Sequence, residues 1–288
     1  MPRIDAHHHL WKLGDRPQGW LDGPDTAAIR RDFTLTDLRA ATTAARIDGT
    51  ILVQVLPDLD ETWDFLTLAA GSDLVAGVIG WADLTAGPIA DVLDALGSVT
   101  GGDKLVGIRH LVQAEPDPAW LNRPDVRRGL SAVAEAGLVY DLLTVPHQLP
   151  AAIDTVRALP ELTFVLDHLS KPPIASGQTE PWASRLRELA AEPNVYCKLS
   201  GMVTEADRAR WRIADLRPYA DTVLEAFGPS RVMFGSDWPV CLLAGTYDEV
   251  CDAAESLTAH LSSDERADVF GGTAARAYWL PAVPAGPE

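Results

Sequence analysis

The chain has 288 residues, 47% of them hydrophobic, which is enough apolar material to bury a large core. Its 41 acidic residues against 24 Lys and Arg give a formal charge of −17, which argues against a nucleic-acid backbone or an anionic membrane surface as partner, since both demand clustered cations. No apolar run reaches the roughly 18 residues of a membrane span, and the opening Met-Pro-Arg-Ile-Asp carries no secretory segment, so a cytoplasmic protein with a small-molecule partner is expected.

The first predicted element is a strand over residues 3–9 that contains "IDAHHHLW". Side chains alternate along a strand, which puts Asp5, His7 and His9 on one face and Ile4, Ala6 and His8 on the other. Two imidazoles at that spacing either grip a divalent cation or hydrogen-bond a polar substrate without one, and the spacing leaves both open. A Gly/Pro-rich loop, "GDRPQGWLDGPD", follows, then a helical pattern over 36–46 and a strand over 50–56 that carries Gln54. A helix over 61–70 leads to a strand over 74–81 ending in Trp81 and Asp83, and the next strand, 105–112, holds Arg109 and His110. Pro124 opens a helix over 124–136 that Gly137 closes; a strand over 138–145 then holds Asp141 and is followed by His147. After a helix over 149–159, the strand over 162–168 ends in Asp167 and His168, with Lys171 just beyond. A helix over 182–190, a strand over 195–200 with Lys198 and Ser200, and a helix over 218–227 stopped by Gly228-Pro229 come next. The eighth strand, 231–236, runs into Ser236 and Asp237, and "AVPAGPE" at the end is expected to fray.

Eight strands recur with helical segments between most of them, the pattern of a parallel sheet covered by helices. The count, a length near the roughly 250 residues of such a domain, and the lack of a G-x-G-x-x-G after the first strand favour a closed (β/α)8 TIM barrel over an open sheet, as a single domain over residues 1–288. Three cysteines, Cys197, Cys241 and Cys251, form no C-x-x-C pair and read as reduced, buried hydrophobes. Barrel active sites lie at the C-terminal ends of the strands, where the polar residues of this chain collect. Taken singly, a strand-end Asp caps a turn, His168 fills a core, Lys198 snorkels to water and Trp81 packs inside; packing does not account for their convergence. In "FGSDWP" Gly235 permits close backbone approach and Pro239 ends the strand, holding Asp237 at the mouth as a general base for water. Its neighbours across the closing seam are the imidazoles of the first strand.

Seven motifs in order, "IDAHHHLW", "GVIGWADL", "LVGIRHLVQAEPD", "YDLLTVPHQLP", "FVLDHLSKPPI", "YCKLSGMVTEAD" and "VMFGSDWPVCLL", resemble the amidohydrolase superfamily over nearly the whole chain. The resemblance is narrower to the amidohydrolase-2 branch, which contains L-fuconolactonase-like and L-rhamnonolactonase-like sugar lactonases and 2-pyrone-4,6-dicarboxylate lactonase. It implies H-x-H on strand one (His7, His9), histidines after strands five and six (His147, His168) and an aspartate after strand eight (Asp237). The implied reaction is opening of a sugar lactone or related lactone by water, with Asp237 as base and then acid and His7, His9 and His168 orienting water and carbonyl. Binuclear members place a lysine after strand four, where this chain has Arg109 and His110, so the cofactor is one divalent ion or none; zinc is the candidate, with His7, His9, His168 and Asp237 as its ligands. Arg109 is placed to stabilise developing negative charge or a substrate carboxylate, and His110, Trp81, Gln54, Lys171 and His147 are the remaining candidate substrate contacts; Trp81 suits the flat face of a sugar ring. Two rivals stay open: a metal-dependent amidohydrolase or decarboxylase of the same branch, and a non-catalytic barrel that binds a sugar acid. The sequence is also compatible with a homo-oligomer.

Overall fold

A computed structural model describes residues 1–281, so the "AVPAGPE" tail lies outside the described residues. Eight strands form the sheet: β1 Ile4–His8, β2 Gly49–Val53, β3 Val75–Gly80, β4 Leu105–His110, β5 Val139–Leu142, β6 Phe164–Leu166, β7 Val195–Leu199 and β8 Val232–Phe234. Each pairs in parallel with the next in chain order. Closure comes from the main chain just past β8: His9 N donates to Trp238 O at 2.7 Å and Asp237 N donates to His7 O at 2.8 Å. The two ends of the sheet therefore meet at the level of the candidate site, and the architecture is the expected (β/α)8 barrel.

The helices are α1 Leu35–Ala44, α2 Leu59–Ala70, α3 Ile89–Gly97, α4 Pro124–Glu135, α5 Leu149–Ala158, α6 Trp182–Ala190, α7 Met202–Glu205, α8 Ile213–Phe227, α9 Tyr247–Leu257, α10 Ser263–Ala267 and α11 Thr273–Ala277. Capping boxes start several of them, as where Thr34 and Asp37 exchange bonds at α1 and Thr246 and Glu249 at α9. One expected boundary moves. Pro218 lies inside α8 instead of opening it, because Arg212 N donates to Asp215 Oδ2 at 2.9 Å and the helix begins there, one turn and more before the proline. Among the described residues, no helix is long and apolar enough to cross a membrane.

Period-two alternation divides the strand residues between two cores. Ile51 and Val53 join Ile4, Ala6, Ile79, Val139, Val165 and Met233 inside the barrel, while Leu52, Val78, Ile108, Leu142 and Phe164 pack outward under the helices. Ala274, Ala277 and Tyr278, at and just beyond α11, close the floor of the inner cluster. In β1 the simple alternation fails. The β1–β2 register shifts between Asp5 and His8, and Asp5 turns to accept from Ser236 N, Ser236 Oγ and Tyr247 Oη of α9 at 2.8, 2.6 and 3.0 Å. Asp5 thus braces β1 against the chain after β8 and does not share a face with His7 and His9.

Candidate active site

Four side chains from three strand ends converge at the mouth. Asp237 Oδ1 lies 3.8 Å from His7 Nε2, 3.6 Å from His9 Nε2 and 3.8 Å from His168 Nε2. His7 Nε2 and His9 Nε2 are 3.1 Å apart. His7, His168 and Asp237 each offer one donor atom within 4.8 Å of the others, and His9 stands beside that triad.

The backbone that presents them is held in rarely used conformations. His168, Leu169, Ser170 and Lys171 run consecutively through positive φ (51°, 55°, 57° and 50°), and Asp237 has φ 57°. Left-handed backbone at a non-glycine residue costs about 1–3 kcal/mol and persists where the surroundings over-determine it. Two glycines make the space. A Cβ on Gly201 would stand 2.7 Å from His168 Nδ1, and one on Gly235 would stand 2.8 Å from His7 Cβ. Ring orientation follows from the opposite nitrogens: His9 Nδ1 donates to Val53 O at 2.7 Å, which leaves its Nε2 a lone pair at the mouth, and His168 Nδ1 bonds Ser200 Oγ at 2.8 Å.

Burial pushes all three imidazoles down, His168 to about 4, so they are neutral at ordinary pH. Burial alone would raise the Asp237 carboxyl, but His168, His9 and Lys171 hold it below its usual value. The cluster is therefore one carboxylate ringed by neutral nitrogen donors.

Beneath it lies a second charged layer. Lys198 Nζ meets Asp141 Oδ2 at 2.5 Å, Asp167 Oδ1 at 3.0 Å and His7 Nδ1 at 3.1 Å; all four side chains are fully buried. Arg109 Nη1 donates to Asp167 Oδ2 at 3.0 Å, and Tyr278 Oη, from the barrel floor, donates to Asp141 Oδ1 at 2.9 Å. Burial works against the ionised Asp167, yet Lys198, His7 and Arg109 outweigh it and hold its carboxyl well down. Lys198 does not snorkel to water: the interior supplies its partners.

The other expected residues divide into two groups. Arg109 joins the cluster, with Nε donating to Gln54 Oε1 at 2.9 Å, Nη2 donating to Gln54 O, and Nη1 3.4 Å from His7 Nε2. Lys171 is half-buried and faces Glu205 Oε1 of α7 at 3.6 Å. Trp81 and His110 form a separate relay at the ends of β3 and β4, in which Trp81 Nε1 donates to His110 Nδ1 at 3.1 Å and His110 Nε2 donates to Glu115 Oε1 at 2.7 Å. The His110 ring stacks on Trp120 with centroids 4.4 Å apart. His147 does not converge: β5 ends at Leu142, and the short turn Pro146–Gln148 leaves this residue exposed and without a bond to the cluster. At β5 it is Asp141 that reaches inward. Asp167 and Lys198 stood in the strand-end motifs "VLDHLS" and "YCKLSG", which signalled their depth without their pairing. Nothing local to "ARAYWL" pointed to Tyr278.

Three neutral imidazoles and one carboxylate form a donor set that suits a single N/O-liganded divalent cation. The charge balance agrees with this, because Asp141 and Asp167 already match Lys198 and Arg109 and Asp237 is left to oppose a cation. No lysine stands at the end of β4, where Arg109 and His110 lie.

Comparison with known proteins places this geometry in context. The sequence profile of the amidohydrolase family matches residues 4–280. An L-fucono-1,5-lactonase of Burkholderia multivorans is 40% identical over 290 residues, covering 97% of this chain and 96% of that protein. An L-fucono-1,5-lactonase of Burkholderia ambifaria is 38% identical over 287 residues, covering 96% of this chain and 95% of that one. Among solved structures, an amidohydrolase from Burkholderia multivorans with bound zinc superimposes with a TM-score of 0.90 at 40% identity, covering 98% of this chain and 100% of that one.

Proposed function

The chain belongs to the amidohydrolase family, and from that premise we propose that it is a lactonase that opens a six-membered sugar lactone to the hydroxy acid with Asp237 as its proton-transfer group. The observation that carries this reading is the placement of one ionised carboxylate oxygen 3.6–3.8 Å from three imidazole nitrogens. Hydrolysis needs a base for water, donors for the carbonyl oxygen and an acid for the departing ring oxygen. Asp237 accepts a proton as the water oxygen bonds to the lactone carbonyl carbon. The ring C–O bond then breaks, and Asp237 returns that proton to the leaving oxygen. His9 Nε2, left unprotonated by the bond from its Nδ1 to Val53, accepts a hydrogen bond from the water's other hydrogen and so orients the water. Arg109 supplies positive charge behind His7.

A divalent cation, zinc by likeness to the Burkholderia multivorans structure, would be held by His7, His168 and Asp237 with His9 beside them, and would supply Lewis acidity at the carbonyl oxygen. The substrate class follows the two Burkholderia relatives, both named for a 1,5-lactone of a sugar acid. A pH-indicator screen of aldonolactones and pyrone carboxylates, run with chelator and with added zinc, tests reaction, substrate class and metal need together. Fastest acid release is expected from six-membered sugar lactones. Release of carbon dioxide from an aromatic acid, with every lactone left intact, would end the proposal.

A further inference from the structure

Resting on the lactonase reading, we propose that Lys171 and Glu205 form a sugar-reading rim, in which the Glu205 carboxylate accepts from one hydroxyl of the lactone ring and the Lys171 ammonium donates to its neighbour. Glu205 thereby determines specificity for hydroxylated lactones. The chain brings both residues to the reacting cluster. His168, whose Nε2 lies 3.8 Å from Asp237 Oδ1, opens the left-handed run that ends at Lys171. Ser200 Oγ bonds the other nitrogen of that ring, Gly201 lies so close that a Cβ there would stand 2.7 Å from His168 Nδ1, and α7, which ends in Glu205, starts at the next residue. The same helix packs against the turn Val240–Leu243 that follows Asp237. Lys171 and Glu205 therefore stand where the chain segments leaving β6, β7 and β8 meet. Their charges and that of Asp237 act on one another: Lys171 helps to hold the Asp237 carboxyl down, while burial, with Asp237 adding to it, pushes the Glu205 carboxyl up against the pull of Lys171.

Two features separate this pair from an ordinary surface ion pair. Its contact is loose: Lys171 Nζ and Glu205 Oε1 are 3.6 Å apart, longer than the roughly 2.7–2.9 Å of a charge-assisted hydrogen bond. Among the described residues, this is the only close polar contact of either side chain. The lysine is also held at φ 50°, a conformation that a side chain disfavours and that persists only where the surroundings over-determine it. A lysine that served merely as a surface charge would need no such backbone. Exposure then says what the pair can meet. The side chains of Asp237 and His168 are only 6% and 5% exposed, whereas those of Lys171 and Glu205 are 26% and 28% exposed. A lactone that brings its carbonyl down to Asp237 thus leaves the rest of its ring toward the rim. A carboxylate only accepts and an ammonium only donates, while each ring hydroxyl does both, so adjacent hydroxyls satisfy the two groups together. A lactone without them would leave both charges unpaired in a partly desolvated place, which is how a polar site rejects an analogue.

The test compares the best sugar 1,5-lactone with its singly deoxygenated analogues. In the unsubstituted protein, removal of either of two adjacent hydroxyls should lower kcat/KM about 10- to 100-fold. Glu205→Ala should lose a similar factor on the parent lactone, chiefly through KM, and should no longer distinguish that lactone from the analogue lacking the hydroxyl that Glu205 holds. Lys171→Met should behave in the same way toward the adjacent hydroxyl. A loss of equal size on every lactone in Glu205→Ala overturns the role, because a merely structural part of α7 would damage all substrates alike. So does a folded Glu205→Ala protein that keeps kcat/KM on the parent within about threefold. If Glu205→Ala does not fold, Glu205→Gln, which keeps the shape and one acceptor oxygen, takes its place in the same comparison; failure of both to fold makes the pair structural and overturns the role as well. Absence of any lactone turnover by the unsubstituted protein would fell the lactonase reading and this inference with it, whereas an active protein whose variants lose evenly, or not at all, removes only the inference.

Discussion

The mouth of the barrel and the layer just beneath it use the same side-chain chemistry to opposite ends. In the lower layer, Lys198, Arg109, Asp141 and Asp167 are buried and each finds an opposite charge, with Tyr278 adding a hydroxyl from the floor. At the mouth, Asp237 is just as short of water but meets neutral imidazoles at 3.6–3.8 Å, too long for good hydrogen bonds and right for groups that share a ligand or a water. Charges satisfied within the protein hold a structure in one arrangement. Charges left to be satisfied from outside do chemistry.

Three experiments break or sharpen that contrast. The largest effect belongs to the mouth: Asp237→Asn should lower kcat on the best lactone by about 10³-fold while leaving the melting temperature nearly unchanged, and a protein that keeps its turnover would erase the distinction between the layers. Next comes the lower layer, where Lys198→Met strands Asp141 and Asp167 without their cation and should cost about 3–5 kcal/mol in denaturant unfolding. Equal stability of this variant and the unsubstituted protein would show that the layer is not held by its charge pairs. The smallest effect is at the edge of the site, where Glu61 accepts from the main chain of Val55 and Leu56, and burial pushes it up to about 7 in spite of those bonds and of the charges of Arg16 and Arg109. A folded value above the ordinary 4.5 means that the Glu61 contribution is complete below that pH and is lost as pH rises through about 7. Between about pH 5 and about pH 8 the unsubstituted protein should therefore lose roughly 2–3 kcal/mol relative to Glu61→Gln. Parallel stability curves for the two proteins would rule out a buried, titrating carboxyl there.

How much of this was legible beforehand depends on the range over which each signal acts. All eight strands were marked by Val, Ile and Leu runs, although the runs outlast the strands because the chain leaves the sheet to build the mouth, as where 162–168 narrows to Phe164–Leu166 before the left-handed turn at His168. Helices α3 and α9 lie outside the helical patterns read from the sequence, and Pro218 falls inside α8 instead of in its first turn because the Arg212–Asp215 bond caps the helix upstream of it. His7, His9, His168 and Asp237 were found as a set, while His147 was grouped with them on resemblance alone and faces water.

From the order of its residues alone, the chain determined the strand–helix repeat, the end of the barrel at which polar groups gather and the pairing of a histidine comb with a terminal aspartate, because periodicity and strand ends are local properties of the backbone. Only the tertiary structure decided which charges are partners: closure of the sheet brings residue 7 beside residue 237, and the width of the interior lets Lys198 reach Asp141 and Tyr278 reach up from the floor. Electrostatic pairing depends on distance through space, and distances between strands far apart in sequence exist only once the barrel has closed.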